Sequence, residues 1–370
     1  MAILNNLTNI VLDDEKKIFI DVLKDIVNKV RIESSFCFSH LDYKADNIPV
    51  ETVDNWQKMP LEYQKKCLKL RLQSFLHKVY YNGSFQTTHI DDDPEKNLPS
   101  ASLVENNTIN GLNREFYEQL HEHNAGTGYF DFDWSVVAEK DHHIMVVHKN
   151  GLTLHIEREY HLKSSQVNAQ VGDNVAILIP HNILQDKAYI AISNQGLVNY
   201  DNQVVNIYFH IKSEGVLPLM AGFTQQLNLL EIPFTFKVPC DPADYNIYDS
   251  GVLQIEKTNY SVVEPILKKI YHQEWENFDS EIPFLTKFIA PGLAVAEEPK
   301  SNTKTLTSYQ ENFGMHRTQA IADGLCAAWE KGKESPQQRM NSILEQFSLR
   351  GIELERPYLE ADSQDIYRRI

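Results

Sequence analysis

The chain has 370 residues, and a hydrophobic share of 42% is enough to bury a real core in one large or two modest domains. A formal net charge of −16 argues against non-specific binding to nucleic acid or to an anionic membrane, because both need clustered Lys and Arg. Cys37, Cys67, Cys240 and Cys326 stand far apart with no Cys-x-x-Cys pair, which disfavours a zinc site or a disulfide framework and suits reduced, mostly buried thiols.

The first eleven residues carry no basic stretch, acids follow at Asp13 to Glu15, and no apolar run approaches the ~20 residues of a membrane span. The compartment expected is cytoplasmic, with export by a specialised bacterial secretion system left open because such signals are not legible this way. After the acidic start, Ile18, Phe19, Val22, Leu23, Ile26, Val27 and Val30 recur at helical spacing and predict an amphipathic helix. Leu61 to Tyr80 repeats the pattern, and a shorter helix is expected over Asn110 to Leu120. Between them Asn82 to Asn107, with Gly83, Pro94, Pro99 and the run Asp91-Asp92-Asp93, reads as a loop and as the segment most prone to move.

From about Tyr129 the period changes to two. Ile144 to Lys149, the pair Asn150-Gly151 and Leu152 to Ile156 spell a hairpin, because both turn residues tolerate positive φ. Further strands are expected at Val175–Ile179, Ala188–Ser193, Val204–His210, Phe234–Val238 and Val252–Ile255, and helices at Glu214–Leu230 and Val262–Trp275. A Pro- and Gly-marked segment, Ile282 to Asn312, precedes two helices near Thr318–Lys331 and Pro336–Leu349. The pattern predicts an α+β fold, with a helical N-terminal region over 1–125 followed over 126–370 by a mostly antiparallel sheet domain with flanking helices.

Within this acidic chain the second half carries a basic, aromatic-rich block: Ile232 to Pro239, Tyr245 to Leu253, Pro283 to Lys287, Ala290 to Leu293, Ala296 to Pro299 and Asn312 to Arg317. Cations set at turns and strand ends among prolines and glycines are what a pocket for an anionic ligand requires, and phosphate is the leading candidate. The other constellations are weaker. His121-Glu-His123, His142-His143 and the pair His155 and His161 lack the spacing of a zinc site, so no metal is expected. His89 with Asp91 to Asp93 has no calcium-loop spacing, and Gly126-Thr-Gly128 lacks the third glycine of a dinucleotide site.

The strings Gly151 to Ile156, Pro233 to Val238, Asp249 to Leu253, Leu285 to Lys287, Ala290 to Leu293, Ala296 to Pro299, Phe313 to Arg317 and Arg356 to Leu359 resemble the Hrp outer protein A (HopA) type III effector family, and most closely its cyanobacterial homologues. The likeness spans roughly Tyr129 to Tyr367. Related domains occur in class V lanthipeptide and thioamitide biosynthesis, where a partner kinase phosphorylates Ser or Thr of a precursor peptide and the domain eliminates phosphate to leave a dehydroamino acid. The resemblance therefore implies a phosphoserine or phosphothreonine lyase acting on a peptide substrate, with a partner kinase and no organic cofactor. The chain departs from the family pattern at Ile247, where an Arg commonly stands between Tyr245 and Asp249, at Asn312, where Ser is usual, and at Thr318, where Cys is usual.

Elimination of phosphate needs a base for the α-proton, a donor for the leaving oxygen and cations for the phosphate. Lys237 is the candidate base, on the strand face opposite Phe234 and Phe236, or else a solvated strand lysine. His155 is the candidate acid, or an exposed strand histidine, and Arg158, two residues on, could join it at a phosphate. His316 and Arg317, before a helix expected from Thr318, are the best phosphate ligands, unless Arg317 pairs with Glu297 or Glu298 as a structural tie. Lys287 is a second phosphate ligand or an ordinary loop lysine, and the Asp91 run is a candidate dock for a basic leader peptide or partner. The alternatives kept beside the lyase are an inactive phosphopeptide-binding or effector-type protein and a scaffold for a partner kinase.

Overall fold

The computed structural model describes residues 2–45, 50–85, 108–109, 112–300 and 312–370. His89, Asp91, Asp92, Asp93 and most of the loop expected over Asn82 to Asn107 lie outside the described residues. The fold is α+β, as the patterning predicts.

The N-terminal third is helical with two small hairpins. Helix α1 (Ala2–Lys29) buries Phe19, Leu23, Ile26 and Val27, whereas Ile18, counted in the same stripe, is 60% exposed. It runs into the hairpin β1 (Val30–Ser34) and β2 (Cys37–His40), followed by α2 (Val50–Gln57) and α3 (Leu61–Leu76). Helix α3 ends in a π-helical turn, His77–Tyr81, of the kind that re-aims side chains at functional sites. A two-residue pairing of β3 (Thr108–Ile109) with β4 (Leu112–Asn113) leads into α4 (Arg114–His123), whose first turn is capped by Asn113 accepting from the Phe116 N–H.

Two separate antiparallel sheets follow. The smaller comprises β5 (Tyr129–Glu139), β6 (Ile144–Lys149), β7 (Leu152–Glu157) and, after the short helix α5 (Arg158–His161), β8 (Asn174–Ile179), in the order β7-β6-β5-β8. Its hairpin turns at Asn150 and Gly151 with φ of 50° and 82°, as the Asn-Gly pair requires. It has its own small core of Trp134, Met145, Val147, Ile156, Val175 and Ile177.

The larger sheet has seven strands: β9 (Asn182–Gln185), β10 (Ala188–Ile192), β11 (Val204–Phe209), β12 (Phe234–Pro239), β13 (Gly251–Glu256), β14 (Lys287–Ala290) and β15 (Leu293–Glu297), in the order β14-β15-β11-β13-β12-β10-β9. Helix α6 (Ser213–Leu229) lies between β11 and β12 in the chain, and α7 (Tyr260–Glu274) between β13 and β14. On one face Phe209 and Phe236 meet edge-on at 5.9 Å, and Phe223 of α6 packs on both. Helices α8 (Phe313–Glu330) and α9 (Pro336–Leu349) pack on each other and on α3 and α1, so the N-terminal helices and the seven-stranded sheet share one continuous apolar core. No described helix is long and apolar enough to cross a membrane.

Strands β14 and β15 fall where the sequence reads as a Pro- and Gly-marked segment. Every residue of β15 is buried, so it shows no alternation. The turn between the strands has Gly292 at φ 66°, where a Cβ would stand 2.2 Å from the Asp279 carbonyl oxygen.

Candidate functional site

A cavity of about 650 Å³ opens on the face of the seven-stranded sheet opposite Phe209 and Phe236. Alternation puts Ile190, Asn206, Tyr208, Thr235, Lys237, Val252 and Gln254 on its floor, and the register pairs Lys237 with Ile190 on one side and Val252 on the other. The π-turn supplies a wall of His77, Tyr81 and Asn82, and the stretch between β12 and β13 supplies another that includes Asp244, Ile247 and Asp249. The walls are joined: the Tyr248 N–H donates to the Asn82 carbonyl at 2.9 Å, and Gly83, at φ 70°, lets the Tyr248 ring pack where a Cβ would stand. Asp186 and Lys187, at the turn between β9 and β10, and Asp244 are exposed and mark the mouth.

The floor is a connected polar network. Gln254 Oε1 accepts from Thr235 Oγ1 at 3.1 Å and from the Tyr200 hydroxyl at 3.0 Å, and its Nε2 donates to Asn206 Oδ1 at 2.8 Å. Asn206 Nδ2 donates to the Tyr208 hydroxyl at 3.1 Å and to the buried Glu298 carboxylate. The Tyr81 ring meets the Tyr208 ring edge-on at 6.4 Å, and burial pushes both hydroxyls above the usual tyrosine range. Such a network fixes side chains in place.

Burial sets the protonation states. It pushes the Lys237 ammonium below the usual lysine range, against the opposing pull of Asp249 and Asp186. It pushes the Asp249 carboxyl up to about 6, against the pull of Lys237 and a hydrogen bond from Asn82. His77 is brought down to about 4 by burial, with Lys78 and Lys237 adding to it, so its imidazole is neutral at pH 7. Its ring leans on Tyr81 with centroids 4.7 Å apart. Among the described residues, His77 Nε2 and Asp249 Oδ1 are buried without a hydrogen-bond partner. The arrangement couples a lysine inclined to lose its proton with a carboxyl inclined to keep one, the combination a proton-transfer site requires.

Of the sequence-predicted site residues, Lys237 lines the cavity and faces away from Phe234 and Phe236. His155 is exposed on β7, in the other sheet. Arg158 is on α5 and not on the strand face with His155; it donates to the carbonyls of Val167 and Ala169 at 2.7 and 2.8 Å and pairs with Glu139 at 3.0 Å. Lys287 is on β14, paired with Asp365 at 2.5 Å and set over the Tyr358 ring. His316 and Arg317 do not precede their helix: α8 begins at Phe313 with Asn312 as its cap, and both residues lie in its first turns. Arg317 is 2% exposed and ties down the C-terminal tail, donating to the carbonyls of Pro357 at 2.9 Å and Leu359 at 3.1 Å, with His316 Nδ1 2.7 Å from its Nη1. Arg317 thus makes a structural tie to tail carbonyls, with the Glu360 and Glu298 carboxylates bearing on its buried charge. Lys257, Lys287 and Arg317 together anchor residues 351–370, with Lys257 donating to Ser363 Oγ and the Gln364 carbonyl at 2.6 Å each and pairing with the buried Glu297.

Residues 179–359 match the HopA1 effector protein family. This span belongs to that family. It contains the cavity floor, the Asp244 to Asp249 wall and Glu298, whereas His77, Tyr81 and Asn82 come from the N-terminal third outside it. Two solved structures are similar to the chain, the effector proteins from Pseudomonas syringae pv. tomato strain DC3000 and from P. syringae pv. syringae strain 61. They are 15% and 16% identical, each match covers 67% of this chain and 80% or 81% of the other, and both TM-scores are 0.40. No curated protein matches the sequence significantly.

The cavity is completed by residues that the sequence alone does not single out. His77 reads as a helix position and Tyr81 falls one residue past the helix expected over Leu61 to Tyr80, and only the tertiary packing of the π-turn brings them to the sheet. Asn206, Tyr208 and Gln254 read as strand residues of undetermined face. Asp249 and Glu298 stand inside strings that resemble the HopA family, Asp249 to Leu253 and Ala296 to Pro299, and that resemblance is their one sequence signal.

Proposed function

We propose that this HopA1-family chain is a phosphoserine or phosphothreonine lyase that forms dehydroamino acids in a ribosomally made peptide. The observation that carries this is Lys237, held on a cavity floor with its ammonium pushed toward neutrality. In the reaction neutral Lys237 removes the α-proton of the phosphorylated residue. The electron pair of the C–H bond becomes the Cα=Cβ double bond, the Cβ–O bond breaks, and its pair leaves on the phosphate oxygen. The Tyr208 hydroxyl, whose oxygen accepts from Asn206, is the hydrogen-bond donor to that oxygen, and Lys187 at the mouth is a cation within the same cavity. His155, Arg158, Lys287 and Arg317 have no part in this scheme, because each lies outside the cavity lining.

A second reading, a phosphopeptide-binding effector without turnover, is favoured by Ile247. It lines the cavity and brings an apolar side chain where a cation would help to hold phosphate. Incubation of the purified protein with Ser- and Thr-phosphorylated peptides, followed by mass spectrometry, separates the two. Loss of phosphoric acid supports the lyase, and an intact phosphopeptide that binds supports the effector without turnover.

A further inference from the structure

Four carboxylates, Asp186, Asp244, Asp249 and Glu298, line the cavity against two lysines, Lys187 and Lys237. A site for a phosphate dianion alone would carry the opposite balance, because each carboxylate repels it. Asp186 and Asp244 are exposed at the mouth, where water screens them. Asp249 and Glu298 are deeper and act together, since both bear on the hydroxyls of Tyr81 and Tyr208. Glu298 is 6% exposed and accepts from Asn206. Asp249 Oδ1 is an acceptor without solvent and without a donor among the described residues, and His77 Nε2, of another residue lining the cavity, is in the same condition. Buried polar atoms of this kind are nearly always paired, so atoms left open on a cavity wall are contacts waiting for what fills the cavity.

We infer that the deep end of the cavity is a subsite for a basic side chain, an ammonium or guanidinium received by Asp249 under the added charge of Glu298. The preferred ligand is then a peptide with a Lys or Arg beside the residue that meets Lys237. Only the anionic half of that ligand rests on the lyase proposal; the cationic half stands on Asp249 and Glu298 themselves.

The test is fluorescence anisotropy with short labelled peptides whose central Ser or phosphoserine is flanked by Arg, norleucine or Glu. Native protein is compared with Asp249→Asn and Glu298→Gln, each checked for native circular dichroism. Native protein should bind the Arg peptide about tenfold tighter than the norleucine peptide, the range of a charge-assisted hydrogen bond, and the Glu peptide more weakly than either. Asp249→Asn should reduce the Arg preference to less than about twofold, and Glu298→Gln should reduce it in part. Equal binding of the Arg and norleucine peptides by native protein, or a preference that survives both substitutions, overturns the inference. An Arg preference with equal affinity for the Ser and phosphoserine peptides upholds the basic subsite while removing the phosphate site that the lyase proposal needs. Tighter binding of phosphoserine with no effect of the flanking residue upholds the phosphate site and overturns the basic subsite.

Discussion

Lys237 and Asp249 hold each other against the same force. Burial drives the lysine toward losing its proton and the carboxyl toward keeping one, and in each case the first charge resisting the shift is the other residue. A lysine that titrates this way serves as a base; a guanidinium, whose pKa stays above ~12, does not. Lys237→Arg keeps the positive charge yet should lose at least about 100-fold in turnover, the contribution of a general base, with phosphopeptide binding retained. Single-turnover kinetics with a separate binding isotherm checks this, and an active arginine variant would remove Lys237 from the base role.

The same pair predicts a pH dependence of stability. The folded-state pKa of Asp249, about 6, is raised above its ordinary 3.8, so the stability it contributes is fully present below 3.8 and is lost as pH rises through about 6. Asp249→Asn has no such loss. The melting temperature of the variant minus that of the native protein should therefore rise between about pH 4 and about pH 7, as thermal melts would record.

Arg317 is expected to behave as an anchor of the tail. Replacing it by Met leaves the carbonyls of Pro357 and Leu359 without their buried donor, at a cost of about 3 kcal/mol. Hydrogen exchange over residues 351–370 should accelerate in Arg317→Met. A variant with native exchange there but weakened phosphopeptide binding would return Arg317 to the ligand role the sequence suggested.

His155, exposed on the four-stranded sheet, should be dispensable. His155→Ala is expected to keep turnover and melting temperature close to native, within about twofold in rate. A large loss of turnover would mean that the smaller sheet contributes to the reaction.

Gly292→Ala should cost more than the ~1–3 kcal/mol of a left-handed non-glycine residue, because the added methyl also meets the Asp279 carbonyl oxygen at 2.2 Å. A melting temperature within a degree or so of native would contradict the turn geometry.

Much of the fold was legible because its elements obey simple periods. The Asn150-Gly151 hairpin, β10 to β13 and helices α6, α7 and α9 lie within a few residues of where apolar spacing puts them. Strands β14 and β15 were hidden by Pro283, Pro291 and Pro299, and β15 also by burial of every residue, which removes the alternation that marks a strand. The site was legible at one residue. Alternation sets Lys237 opposite the Phe234 and Phe236 rings, but which face carries a cavity is decided by the packing of the π-turn and the Asp244 to Asp249 wall. Arg158, Lys287 and Arg317 look alike in sequence as cations near turns, and only their carbonyl and carboxylate partners distinguish structural ties from ligand contacts.

The most direct test of the central claim is mass spectrometry of a phosphoserine peptide after incubation with native protein and with Lys237→Ala, both confirmed as folded. The account predicts a dehydroalanine product with native protein and unaltered phosphopeptide with the variant. Equal conversion by both proteins would contradict it.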